Sequence, residues 1–146
     1  MRPDADDPRM RIKAIEREYL TMRLAADRLM QHGGADASIL REAGLRVADL
    51  AQASARLEAT YFIRLFAAFE NALRDRWMTW RTTRPKMEDL VNGLASRRQI
   101  AADLLQEVHE ARNYRNSLVH EFDERIAPIT LASARRSTCL FLGYLF

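Results

Sequence analysis

Cysteine is nearly absent from this chain. The single Cys139 can form no internal disulfide, so nothing covalent staples the fold, and a lone thiol fits a reducing compartment. Glycine and proline are scarce as well, five and four among 146 residues. A sheet protein of this size needs more turns than these supply, so the shortage points to helices. No apolar run is long enough for a membrane partner. The longest, CLFLGYLF at 139–146, falls well short of the ~20 residues that a spanning helix requires. The segment MRPDADDP at 1–8 is polar and acidic, unlike a secretory signal, so a cytoplasmic location is expected. His32, His109, His120 and Cys139 show no metal-ligand spacing, and no glycine-rich phosphate loop occurs. No metal and no cofactor are expected.

Lysine is the remaining shortage. Of 23 basic residues only Lys13 and Lys86 are lysine, and the other 21 are arginine. Arginine suits bidentate phosphate recognition better than lysine does. A GC-rich coding sequence would enrich arginine and alanine together without any functional cause, so the excess alone selects no partner. What is present is ordinary for a globular protein: 48% apolar residues, 29% charged residues and a formal net charge of +3. The length suits one domain, 1–146, with a real core.

Helical periodicity runs along most of the chain. Asp7 and Pro8 suit an N-cap and first turn. Ile12, Ile15, Tyr19, Met22, Ala26 and Leu29 follow at alternating spacings of three and four, and HGG at 32–34 stops that helix. The next segment begins near Asp36 and has no proline until Pro85, with irregularity expected between 33 and 46, where Gly44 marks a possible break. Its second half places Tyr61, Phe62, Leu65, Phe66, Phe69, Ala72, Leu73, Trp77 and Trp80 on one face. RTTRP at 81–85 is a turn. A short helix fits 86–96, weakened by Gly93, and a longer one fits 97 to about 121. Pro128 breaks the chain before a last helix. The expected fold is all-α, a bundle of four or five helices. The apolar end offers Phe141, Leu142, Leu145 and Phe146 for packing on a partner subunit, unless sequence is missing beyond Phe146.

One position breaks the pattern. Leu104, Val108, Ala111, Leu118 and Phe122 form a core-facing stripe, and Arg115 fills its remaining slot near the centre of the apolar face. His109, Arg112, Asn116 and His120 form a second ridge along its flank. Arg115 and His120 lie about 140° apart on an ideal helix, a gap that a long side chain bridges only in part. A buried, unpaired guanidinium costs several kcal/mol. Either Glu70, Glu107, Glu110 or Glu121 answers it inside the bundle, or it snorkels to the edge, or the face is open to something else.

RNSLVH at 115–120 resembles the signature of the HEPN superfamily, an arginine followed by four to six residues and a histidine, with asparagine commonly directly after the arginine. The aromatic stretch YFIRLFAAFENAL at 61–73 is similar to the long second helix of several HEPN branches. The resemblance implies a HEPN-like bundle of four or five helices. It also implies a metal-independent endoribonuclease, frequent in toxin–antitoxin pairs and defence systems, that dimerises so that two Arg/His motifs line one cleft. The expected partners are therefore RNA, a second copy of the chain, and a cognate antitoxin, nucleotidyltransferase-like or other. Some HEPN toxins carry a tyrosine two residues after the histidine that a partner nucleotidyltransferase modifies; here that position is Phe122.

In the chemistry so implied, the ribose 2′-OH attacks the adjacent phosphorus and expels the 5′-oxygen. His120 would accept or donate a proton near neutral pH. Arg115 would hold the charge building on the phosphorane oxygens. Asn116 would orient a phosphate oxygen or the histidine. Arg112 would bind an adjacent phosphate, and Glu70, if it reaches the cleft, would hold Arg115 or His120. The alternative is a non-catalytic HEPN-like module that binds RNA or a protein partner.

Overall fold

A computed structural model describes residues 7–33, 37–120 and 125–146. These residues form six helices and no strand, so the protein is all-α. The helix α1 spans Pro8–Gly33, α2 Ser38–Glu42, α3 Val47–Met78, α4 Met87–Arg98, α5 Ala102–Val119 and α6 Leu131–Gly143. The first begins where the sequence places it. The Asp7 carboxylate accepts the Arg9 backbone N–H at 2.9 Å, and the Arg9 guanidinium on the same group holds that carboxyl below its usual range.

The irregularity expected between 33 and 46 contains the five-residue α2 and a turn at Gly44, whose φ of +73° a residue without Cβ adopts freely. With this short helix the described residues form six, where four or five were expected; Asp36 lies outside the described residues. Beyond Gly44, α3 runs 32 residues to Met78. The break between α4 and α5 falls at 99–101 rather than at 97. It turns on Gln99 in the left-handed region, φ +53°, a role usually taken by glycine, so composition did not mark it.

Four long helices enclose the core. The α1–α3 pair is antiparallel, with Tyr19 against Tyr61 and Arg23 bonded to the Ser54 hydroxyl at 3.0 Å. Helix α6 runs parallel to α3. At its start the Glu58 carboxylate accepts the Leu131 N–H at 2.8 Å, and further along Phe141 meets Phe69 edge-on at 5.7 Å. Helix α5 lies antiparallel to both: Tyr114 packs on Phe62 at 4.9 Å, and Glu107 pairs with Arg136 at 3.2 Å. The short α4 packs across α3 and α5. Gly93 sits under the Trp77 ring, and a Cβ there would come within 3.0 Å of it.

The aromatic face of α3 supplies the centre. Phe62, Leu65, Phe66, Phe69 and Leu73 are buried, each contributing roughly 1.5–3 kcal/mol by leaving water. The apolar C-terminus fills the same core. Phe141, Leu142 and Leu145 are buried within their own chain, so they are not free for a partner subunit; Phe146 alone of the four is half exposed. The core thins at one end. Beyond Ile15, α1 continues with Leu20, Met22, Leu24 and Met30 exposed, and Ile39, Leu45 and Val47 are exposed across from it. The second half of α1, α2 and the start of α3 thus form an apolar arm projecting from the bundle.

Candidate functional site

The C-terminal half of α5 carries the Arg/His pattern. Its first half is covered by α4, which runs antiparallel to it: His109 Nε2 lies 2.7 Å from Asn92 Oδ1, and Arg112 lies 3.6 Å from the Glu88 carboxylate. Glu88 stands in the first turn of α4. Arg115 stands one turn further along α5, beyond both of these contacts. Arg115 is only partly buried, which is why a charge is tolerated there.

Arg115 is half-buried, and its Nε is enclosed without a hydrogen-bond partner. One terminal nitrogen donates to the Asn116 side-chain oxygen at 3.2 Å. No carboxylate among the described residues pairs with it. Glu70 is bound to Arg74 at 2.6 Å, Glu107 to Arg136, and Glu110 accepts from Gln106 at 3.0 Å. Glu121, the fourth candidate, and Phe122, the last residue of the expected stripe, lie outside the described residues. The Asn116 bond has a direction. Asn116 is rotated about 100° from Arg115 toward the ridge that ends in His120, so the bond draws the guanidinium across the gap toward that ridge.

His120 is exposed and closes α5. Its N–H bonds the Asn116 carbonyl at 3.0 Å, and its backbone then leaves the helix with ψ of −87°. Asn116 thus touches both neighbours, Arg115 through its side chain and His120 through its backbone. Arg112 is largely buried, with its Nε enclosed and unpartnered, and only the long contact to Glu88 meets its charge. Beside it, burial pushes the His109 imidazole below its ordinary value, and the Arg112 charge adds to the effect. Nδ1 of that ring is enclosed with no partner, which fits a neutral ring donating from Nε2 to Asn92.

Glu70 stands apart from this group. Phe62 marks the level of Tyr114 on α3, and Glu70 lies eight residues further on, roughly 12 Å along the axis. Its carboxylate belongs to Arg74, which also donates to the Pro85 carbonyl at 3.1 Å. The structure thus brings Arg112, Arg115, Asn116 and His120 onto one end of α5 and leaves Glu70 out. It adds Glu88 and Asn92, which no local pattern marks, because the α4–α5 register alone sets them opposite Arg112 and His109. Glu58 is a second addition: near Tyr114 it supports burial in raising that phenol, and it caps α6.

Among the described residues no helix is long and apolar enough to cross a membrane, and no three His, Cys, Asp or Glu side chains converge as metal ligands. Compared with known proteins, the chain matches no family model, no curated protein and no solved structure.

Proposed function

We propose that this protein is a metal-independent endoribonuclease of the HEPN type, a toxin or defence component that acts as a homodimer in the cytoplasm. The observation that carries the reading is Arg115: a half-buried guanidinium at the edge of an apolar face, unpaired by any described carboxylate and held by Asn116 toward the His120 ridge. A charge so placed answers an anion supplied from outside, and a phosphodiester is the anion that arginine and histidine treat together.

In the proposed reaction the ribose O2′ loses its proton to the His120 ring of one subunit and attacks the neighbouring phosphorus. The P–O5′ bond breaks as the new P–O2′ bond forms. The departing O5′ takes a proton from the protonated ring of the second copy, leaving a 2′,3′-cyclic phosphate and a free 5′-hydroxyl. Arg115 holds the equatorial oxygens, Asn116 orients Arg115, and Arg112 receives a flanking phosphate. A second copy also completes the geometry, since Arg115 and His120 diverge on their own helix. The exposed apolar arm starts beside this end of α5, because α3 at Phe62 and Glu58 is its neighbour. It is a surface that a second copy would cover.

The test is cleavage of a single-stranded RNA in excess EDTA. Products ending in 2′,3′-cyclic phosphate are expected, with no cutting where a 2′-deoxy nucleotide sits at the target position. Activity that returns only on adding magnesium would sink the reading. RNA binding without cleavage would favour the non-catalytic module, in keeping with the exposure of His120.

A further inference from the structure

The opposite end of the bundle carries a second cluster of charge. Trp80 stands just past the end of α3, and three guanidinium groups surround its ring: Arg97 at 4.2 Å from the centroid, Arg76 at 4.8 Å and Arg98 at 5.5 Å. Arg76 also lies 5.3 Å from the Phe146 ring. An indole attracts a cation, but three about one ring repel each other. No two of them can stand much more than about 10 Å apart, the distance over which 0.1 M salt screens charge. None of the three forms an ion pair with a described residue, and the enclosed Nε of Arg76 has no partner. The C-terminal ends of α3 and α4 each lend roughly half a negative charge. About two positive charges remain uncompensated.

The excess continues past the turn at 79–86. There a cavity of about 700 Å³ opens between α1, α3 and the turn, with Arg11, Arg84 and Lys86 in its wall. None of these is ion-paired to a described residue either, and Asp75 is the one carboxylate lining the cavity among the described residues. A row of single negative charges would meet both groups of cations. The indole among the arginines also suits a strand whose bases are unpaired and offer their faces.

We propose that this end of the bundle, centred on Trp80, Arg76, Arg97 and Arg98 and extending to Arg84 and Lys86, binds the phosphate backbone of single-stranded nucleic acid. Trp80 fixes the guanidinium groups before the strand arrives, which lowers the cost of ordering them. The Trp80 centre is separate from the Arg115 group, because Arg97 and Arg98 end α4 whereas Arg115 lies 13 residues, roughly 20 Å, along α5 from Ala102. It does not rest on the ribonuclease reading: the phosphates of DNA, which lacks the attacking 2′-hydroxyl, meet it as well as those of RNA.

A fluorescent oligo-dT strand is therefore the probe, with affinity measured across a series of salt concentrations. Arg97 and Arg98 are both exposed, so Arg97→Gln/Arg98→Gln removes two contacts with little risk to the core. The slope of log K against log salt should become shallower by about 1.4, at roughly 0.7 per lost phosphate contact. Arg28→Gln/Arg56→Gln removes the same charge from exposed positions on the arm and should leave the slope unchanged. If the double variant folds poorly by circular dichroism, Arg98→Gln alone should shift the slope by about 0.7. No binding of oligo-dT by the wild type at low salt overturns the proposal, as does an equal slope in the Arg97/Arg98 variant. So does a variant that loses binding to phosphatidylserine vesicles while its DNA affinity holds, since the patch would then face a membrane. A shallower slope in a protein that never cuts RNA would keep this site and dismiss the ribonuclease.

Discussion

At the scale of the residue, Arg115 decides between two accounts of the same stripe. If it answers an outside phosphate, Arg115→Met should abolish RNA cleavage and leave the melting temperature unchanged or raised, because a methionine fills most of the volume without the charge. If it answers a buried carboxylate, the same change strands that carboxylate at a cost of roughly 3–5 kcal/mol. Glu70, Glu107 and Glu110 are already engaged elsewhere. Thermal melts of the two proteins at matched concentration, beside an RNA assay, separate the accounts. A few residues back, His109 makes a prediction about acid. Its imidazole is held neutral, below the ordinary value of about 6.5, first by burial and then by Arg112. The unfolded chain therefore binds a proton that the folded one refuses. Stability present above pH 6.5 should fall as the pH drops through the window below it. His109→Gln should lose less melting temperature than the wild type between about pH 7.5 and about pH 5. Equal losses in the two proteins would show that His109 is not the group responsible.

The scale of the element is clearest in α4. Its sequence holds Gly93 in mid-helix, which by propensity alone weakens it by about 1 kcal/mol relative to alanine. The fold supplies the reason for the glycine. The Cζ3 and Cη2 atoms of Trp77 of α3 lie 3.0 and 3.2 Å from where a Cβ would stand, and its indole N–H donates to the Thr83 hydroxyl at 3.2 Å, so the ring is not free to give way. Gly93→Ala should therefore lower stability by about 1 kcal/mol, as an overpacking cost of roughly 1–3 kcal/mol outweighs the gain in propensity. In a Trp77→Leu background the same substitution should become neutral or stabilising, and urea denaturation of the four proteins of that cycle measures the coupling. Additive effects would mean that the close approach of ring and backbone is not what keeps the glycine.

For the whole molecule the open question is the second copy. The buried face of α6 leaves the C-terminal aromatics little to offer a partner, whereas the arm exposes Leu20, Met22, Leu24, Met30, Ile39, Leu45 and Val47. Light scattering on dilute protein should give about twice the 16.9 kDa chain mass. Leu20→Lys/Leu24→Lys, both exposed, should return it to a monomer without unfolding it and should reduce RNA cleavage in parallel. A monomer in the wild type, unchanged by RNA, would count heavily against a cleft shared by two chains.

Much of this protein follows from its sequence alone. Scarce glycine and proline, with apolar residues at spacings of three and four, determine an all-α chain, because only a helix gathers such spacing onto one face. Asp7–Pro8, Gly44 and the turn before Pro85 carry local chemistry strong enough to mark boundaries. The arginine in the stripe is likewise visible, since one charge among Leu104, Val108, Ala111 and Leu118 violates the pattern that surrounds it. Tertiary structure decided the rest. The turn at Gln99 takes a conformation that its residue type does not advertise. Helix α6 draws Phe141, Leu142 and Leu145 into the chain's own core, although periodicity equally allowed them to face a partner. Glu70 goes to Arg74 rather than to the α5 group, and Glu88 and Asn92 meet Arg112 and His109 only through the register of α4 on α5. Periodicity states which face of a helix is apolar. It carries no information about which neighbour covers that face, or how far along the axis the cover extends, and at Arg115 that extent determines whether the charge is buried or within reach of a ligand.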